Sequence, residues 1–196
     1  MSLNISLYTV SAVLILDNEG GRVFAKYYQS PEDPSSTDGP LSNLTGQTKF
    51  EKSLFEKINK MNQDIILYDN HLVTYKQTND VIIVVVAKLN ENESLIYSLC
   101  ANLLESLTVL LDRAVDKLTI LEKFDMVALC VDETIDDGII LEIDPAIVVS
   151  RVTNPPSSSS LATDTGSLKL DLSERGFMNA LSFASKKIGE RLQQGL

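Results

Sequence analysis

From Ile5 to Asp17 the residues are mostly aliphatic or β-branched. In an extended chain Val10, Ala12, Leu14 and Leu16 would share one face, and Ser11, Val13 and Ile15 the other. Asp17-Asn-Glu-Gly-Gly21 supplies residues that tolerate positive φ, and Arg22 to Gln29 returns as a second strand, so the start of the chain reads as a hairpin. Three prolines and a glycine between Ser30 and Pro40 mark a solvated loop. The spacing then turns helical over about 45–62, with Phe50, Leu54, Phe55, Ile58 and Met61 on one face. Thr48 and Glu51 have capping-box spacing within it, which leaves the helix start open by a turn.

Three further strands follow at Ile65–Tyr68, Leu72–Thr78 and Val81–Leu89, separated by Asp69-Asn70-His71 and Asn79-Asp80, both tight-turn sequences. Val81 to Ala87 shows no alternation, which predicts a central strand covered on both faces. Asn90 with Glu93 has capping-box spacing ahead of a long helix over 92–112, striped by Leu95, Ile96, Leu99, Leu103, Leu107 and Leu110. Lys117–Phe124 reads as a short helix. Periodicity does not assign the apolar run Met126–Val131 to helix or strand. Thr153–Ser167, rich in proline, serine and threonine, reads as a flexible linker. Beyond it, Phe177, Leu181, Ala184, Ile188 and Leu192 stripe a final helix within 168–196. The expected class is α+β: a five-stranded antiparallel sheet flanked by helices, over residues 1–152, with the linker and C-terminal helix appended.

Composition narrows the function. The chain has 196 residues, 44% of them apolar, and its 27 acidic against 17 basic side chains leave a net charge of −10. Such a balance gives nucleic acid no basic footprint and disfavours direct adhesion to anionic lipid. The longest apolar run, Val81–Ala87, is far shorter than the ~20 residues that span a bilayer. No secretory leader is visible, and Cys100 and Cys130, each in an apolar run, read as buried reduced thiols, so the expected compartment is the cytosol.

Catalytic patterns are few. His71 is the only histidine, expected in a surface turn, and the cysteines lie thirty residues apart, so metal-ligand spacing fails and no cofactor is expected. Phosphate-loop and nucleophile-elbow motifs do not occur. One dense constellation stands out: Asp132, Glu133, Asp136, Asp137, Glu142 and Asp144 surround Gly138 without a cation among them. As a calcium loop it fails, because Ile135 falls where an oxygen ligand is required. On a helical turn Asp132 and Asp136 would lie four apart on one side. Paired carboxylates of that kind can act as acid and base, given a cleft. The alternatives are a solvated acidic helix end and a protein-facing acidic surface.

The same residues carry a resemblance. Ser6-Leu-Tyr-Thr-Val10, Ala12-Val-Leu-Ile-Leu-Asp-Asn18 and Arg22-Val-Phe-Ala-Lys-Tyr-Tyr28 resemble the start of the zeta subunits of coatomer. The run Asp132-Glu-x-x-Asp136-x-Gly138-x-Ile-x-Glu142-x-Asp144, with Val148-Val-x-Arg-Val152, resembles that family's second signature. The likeness spans residues 5–152. The Pro-rich loop at 30–40 and the linker at 153–167 are departures in length from shorter members.

The resemblance implies a longin-like (SNARE-like) domain of the adaptor small-chain type. It implies a non-enzymatic subunit of the COPI coat, acting in Golgi-to-endoplasmic reticulum and intra-Golgi transport. The implied direct partner is the large gamma subunit, with the remaining coat subunits around it and membrane contact only through the assembled coat. Asp132, Glu133, Asp136, Gly138, Glu142 and Asp144 are then structural or partner-facing residues. Small sigma chains of clathrin adaptors also help bind dileucine signals, and no position here is carried over for that role. The alternatives are a sigma-type chain, another longin-domain trafficking protein, or a small hydrolase using the acidic run.

Overall fold

In a computed structural model, residues 7–29 and 41–154 are described, apart from 62 and 113; all lie in one compact unit, Met1–Pro156. The expected Pro-rich loop and C-terminal helix, and the expected linker beyond Asn154, fall outside the described residues.

The strands are β1 (Val10–Asp17), β2 (Arg22–Tyr27), β3 (Ile65–Tyr68), β4 (His71–Thr78) and β5 (Val81–Lys88). They form one antiparallel sheet in the order β2-β1-β5-β4-β3. The expected central strand is β5, whose residues Val81–Ala87 are all buried because β1 and β4 pair with its edges and helices cover both faces. The β3–β4 turn is Asp69-Asn70, with φ of 47° and 62°. His71 therefore opens β4 opposite Tyr68 and is not part of the turn itself.

One face of the sheet, built from Ala12, Leu14, Leu16, Val73, Tyr75, Ile82, Val84 and Val86, packs on α1 (Leu44–Ile58) through Phe50, Leu54 and Ile58. Asn43 caps α1 by accepting from the Gly46 amide at 2.8 Å, so the helix starts ahead of Thr48 and ends before Met61, which is exposed. The other face, with Val13, Ile15, Val81, Ile83, Val85 and Ala87, packs on α2 (Glu93–Leu110), α3 (Lys117–Glu122) and α4 (Phe124–Thr134). The cap of α2 is Asn92, whose Oδ1 accepts from the Ser94 and Leu95 amides, in place of the expected Asn90.

Val10 departs from the expected alternation. It packs with Val13 and Ile15, not with Ala12 and Leu14, because the β1–β5 register slips between Val10 and Ala12. The extra residue, Ser11, is a β-bulge, and a bulge turns every residue before it to the opposite face.

The unassigned run Met126–Val131 lies in α4, which buries Val127, Cys130, Val131 and Thr134. Two elements not anticipated follow: a small hairpin, β6 (Ile135–Asp136) with β7 (Ile139–Ile140), and α5 (Pro145–Thr153). α5 forms an outer layer on α2 and α4 and buries Val148.

Candidate functional site

The acidic run falls across three elements, so its carboxylates do not share a helical face. Asp132 and Glu133 end α4. The chain then reverses through Asp137 (φ 48°) and Gly138 (φ 81°), pairing Ile135 with Ile140 and Asp136 with Ile139. Consecutive positive φ angles define the tight hairpin turn for which Asp-Gly is favoured, and they break the four-residue spacing that would have paired Asp132 with Asp136 on a helix.

Most of these carboxylates are engaged inside the fold. Asp132 accepts from Lys26 Nζ of β2 at 2.5 Å. Arg151 of α5 lies 3.8 Å from Glu133 and 3.4 Å from Glu142, joining the end of α4 to α5. Glu142 Oε1 also accepts from the amides of Ile143 and Asp144, at 3.0 and 3.1 Å. Asp144 caps α5 by accepting from the Ala146 amide at 2.8 Å, with Pro145 at the first helical position, where its missing N–H costs nothing. Only Asp136 and Asp137 have carboxylates without a hydrogen bond or ion pair among the described residues, and both are exposed.

Gly138 is the pivot. Its carbonyl accepts from the amides of both Thr9 and Val10 at 3.0 Å, and Tyr8 bridges to Ile139, so the hairpin grips the chain as it enters β1. A Cβ at Gly138 would lie 2.6 Å from the Val10 carbonyl oxygen. Tyr28, from the end of β2, reaches over to donate to the Ile135 carbonyl at 3.4 Å. Burial, and then the carboxylates of Asp132 and Asp136, push its hydroxyl well above the ordinary tyrosine range, so it stays protonated. The constellation holds a hairpin, a strand entrance and an outer helix together.

Elsewhere the thiols are inert. Cys100 and Cys130 are free and buried, and burial pushes each to about 12, which keeps them protonated and unreactive at neutral pH. His71 Nδ1 lies 2.7 Å from the Asp69 carbonyl oxygen, with its ring edge-on to Phe50. Among the described residues no group of three His, Cys, Asp or Glu side chains is placed to hold a metal ion, and no helix is long and apolar enough to cross a membrane.

Sequence reasoning missed the surface apolar residues, which helical periodicity does not separate from core. Leu118 and Leu121 of α3 and Phe124 of α4 are exposed. A shallow groove of about 670 Å³ also lies between β3 and the start of α2, lined by Ile65, Leu67, Leu72, Glu93 and Tyr97. Its rim is set by Lys76, which donates to Asp64 and to Tyr97 Oη, both at 2.7 Å.

The fold matches a known class. A model of the clathrin adaptor complex small chain matches residues 9–157. A chain in a homology model of the full-length AP-3 complex in a stretched open conformation superposes with a TM-score of 0.56 at 17% identity. The match covers 73% of this chain and 90% of that one, a likeness of longin-type fold. Coatomer subunit zeta of Saccharomyces cerevisiae is 43% identical over 194 residues, 98% of this chain and 99% of that protein. Coatomer subunit zeta-1 of Homo sapiens is 40% identical over 147 residues, 75% of this chain and 78% of that one. Coatomer subunit zeta-2 of Arabidopsis thaliana is 33% identical over 187 residues, 93% and 94% of the two chains. The chain belongs to the adaptor small-chain family and, within it, to the coatomer zeta subunits.

Proposed function

We propose that this chain is a structural, non-enzymatic subunit of the COPI vesicle coat. In this reading it pairs constitutively with the large gamma subunit and acts in Golgi-to-endoplasmic reticulum and intra-Golgi protein transport. It would reside in the cytoplasm and on the cytosolic face of Golgi membranes and COPI vesicles, reaching the membrane through the assembled coat. The observation that carries the reading is the 43% identity to a coatomer zeta subunit along 98% of the chain, both signature regions included. The geometry of the acidic run supports it: Asp132, Glu133, Glu142 and Asp144 are engaged in bracing the fold, and the hairpin turn at Asp137-Gly138 takes Asp136 off the helical face that would have paired it with Asp132.

A sigma-type chain of a clathrin adaptor is the second reading, favoured by the small-chain family model and by the AP-3 likeness. Replacing the zeta subunit of S. cerevisiae with this chain separates the two. The coat reading expects the other coat subunits to co-purify with it in stoichiometric amount. Co-purification with clathrin-adaptor large chains, and with no coat subunit, would overturn it.

A further inference from the structure

We infer that the ridge formed by Leu118, Leu121 and Phe124 is a docking surface for one amphipathic helix of a coat partner, apolar along its seam and carrying lysine or arginine on its flanks. The inference rests on the reading of the chain as a coat subunit and assigns the face that subunit presents.

α3 buries Ile120 alone, while Leu118 is 68% exposed and Leu121 51%. The two leucines are three residues apart and lie on one helical face. Phe124, 43% exposed, follows at the same interval, its ring held against Phe24 of the edge strand β2 with centroids 5.7 Å apart. The fold does not require apolar residues here. Asp116 caps α3 by accepting from the Thr119 amide, Ile120 anchors the helix, and lysine or glutamate would serve an exposed helical position as well as leucine. Leu118 and Leu121, one turn apart on α3, and Phe124, which opens α4 just past the break at Lys123, give three large exposed apolar side chains of the kind that a single partner helix engages as anchors.

The charges around the ridge select the partner. Lys117 is engaged by Asp17 at 2.8 Å and Lys123 by Asp112 at 2.7 Å. Glu122 and Asp125 border the same residues, and their carboxylates have no ion-pair partner among the described residues. The uncompensated charge of the rim is therefore negative. It repels an anionic lipid surface and attracts a helix flanked by basic residues.

The test uses the tagged full-length chain in cytosol, with the large coat subunits recovered on it quantified by mass spectrometry. The double variant Leu118→Asp/Leu121→Asp is expected to lose recovery by about ten-fold or more, as for anchor residues of an interface. Leu44→Asp, at a 66% exposed position on α1, is the control and is expected to retain it. Glu122→Lys/Asp125→Lys leaves the apolar ridge intact and is expected to reduce recovery several-fold, more strongly at low salt. This charge variant keeps the test decisive should the leucine double variant unfold. Undiminished recovery on either variant, with its melting temperature unchanged, would overturn the docking surface and leave the coat reading standing. Wild-type chain that recovers no coat subunit would overturn both.

Discussion

At Gly138 a side chain has no room and the backbone has the wrong hand for one. Its φ of 81° lies in the region that L side chains rarely adopt, and an added Cβ would meet the Val10 carbonyl at 2.6 Å. Gly138→Val is expected to cost about 2–3 kcal/mol, from left-handed strain together with the displaced backbone bond. Thermal unfolding checks this, and an unchanged melting temperature would show that the hairpin does not brace the entrance to β1. A comparable dependence holds at Glu51, only 2% exposed, which accepts from Arg22 Nε at 2.9 Å, from the same guanidinium at 2.6 Å and from Tyr27 Oη at 2.8 Å. Glu51→Gln keeps the shape, removes the charge and strands the arginine, and is expected to cost about 2 kcal/mol in the same measurement. Asp17 adds a pH dependence. Burial raises its pKa, but the bonds from Lys117 and from the Gly21 and Glu19 amides outweigh burial and hold it below the usual carboxylate range. A depressed folded value contributes stability above the unfolded pKa near 3.9, and that contribution is lost as pH falls through the folded value. Asp17→Asn should therefore lower the melting temperature at neutral pH, and the gap to wild type should close as pH falls through the depressed folded value. A gap independent of pH would assign the effect to shape and not to charge.

Elements were legible in the sequence wherever one period ran long enough. The alternation of β1, the unbroken apolar run of β5 and the leucine stripe of α2 each predicted type and place. The Ser11 bulge was not legible, because a bulge is a property of pairing with β5 and leaves no mark in β1 alone. α4 did carry a helical signal, Val127, Cys130, Val131 and Thr134 at intervals of three and one, but the apolar run around it masked the period. The hairpin β6–β7 was too short for alternation, although Asp137-Gly138 is a strong turn pair. As for the site, the acidic run was visible as composition, while its partners Lys26 and Arg151 lie 106 residues upstream and 9 residues downstream of the carboxylates they meet, beyond any local pattern. The contacts around α5 differ in weight. Asp144→Ala removes a cap and is expected to cost about 1 kcal/mol. Arg151→Ala removes two partly exposed ion pairs, to Glu133 and Glu142, and is expected to cost under about 1 kcal/mol. Equal losses in a melting series would contradict that ranking.

On the scale of the whole molecule, the acidic surface and the spare apolar ridge describe a domain that finishes its own core and still presents surface to a neighbour. Its thiols are buried and protonated, and four of the acidic-run carboxylates, Asp132, Glu133, Glu142 and Asp144, brace the fold. Assembly can be measured directly. The tagged chain would be recovered from cytosol in mild detergent and the co-purifying proteins identified by mass. A coat subunit is expected to bring down a large gamma-type subunit at one-to-one stoichiometry, together with the remaining members of the coat. Recovery of this chain alone, as a stable and monodisperse monomer, would contradict the assignment.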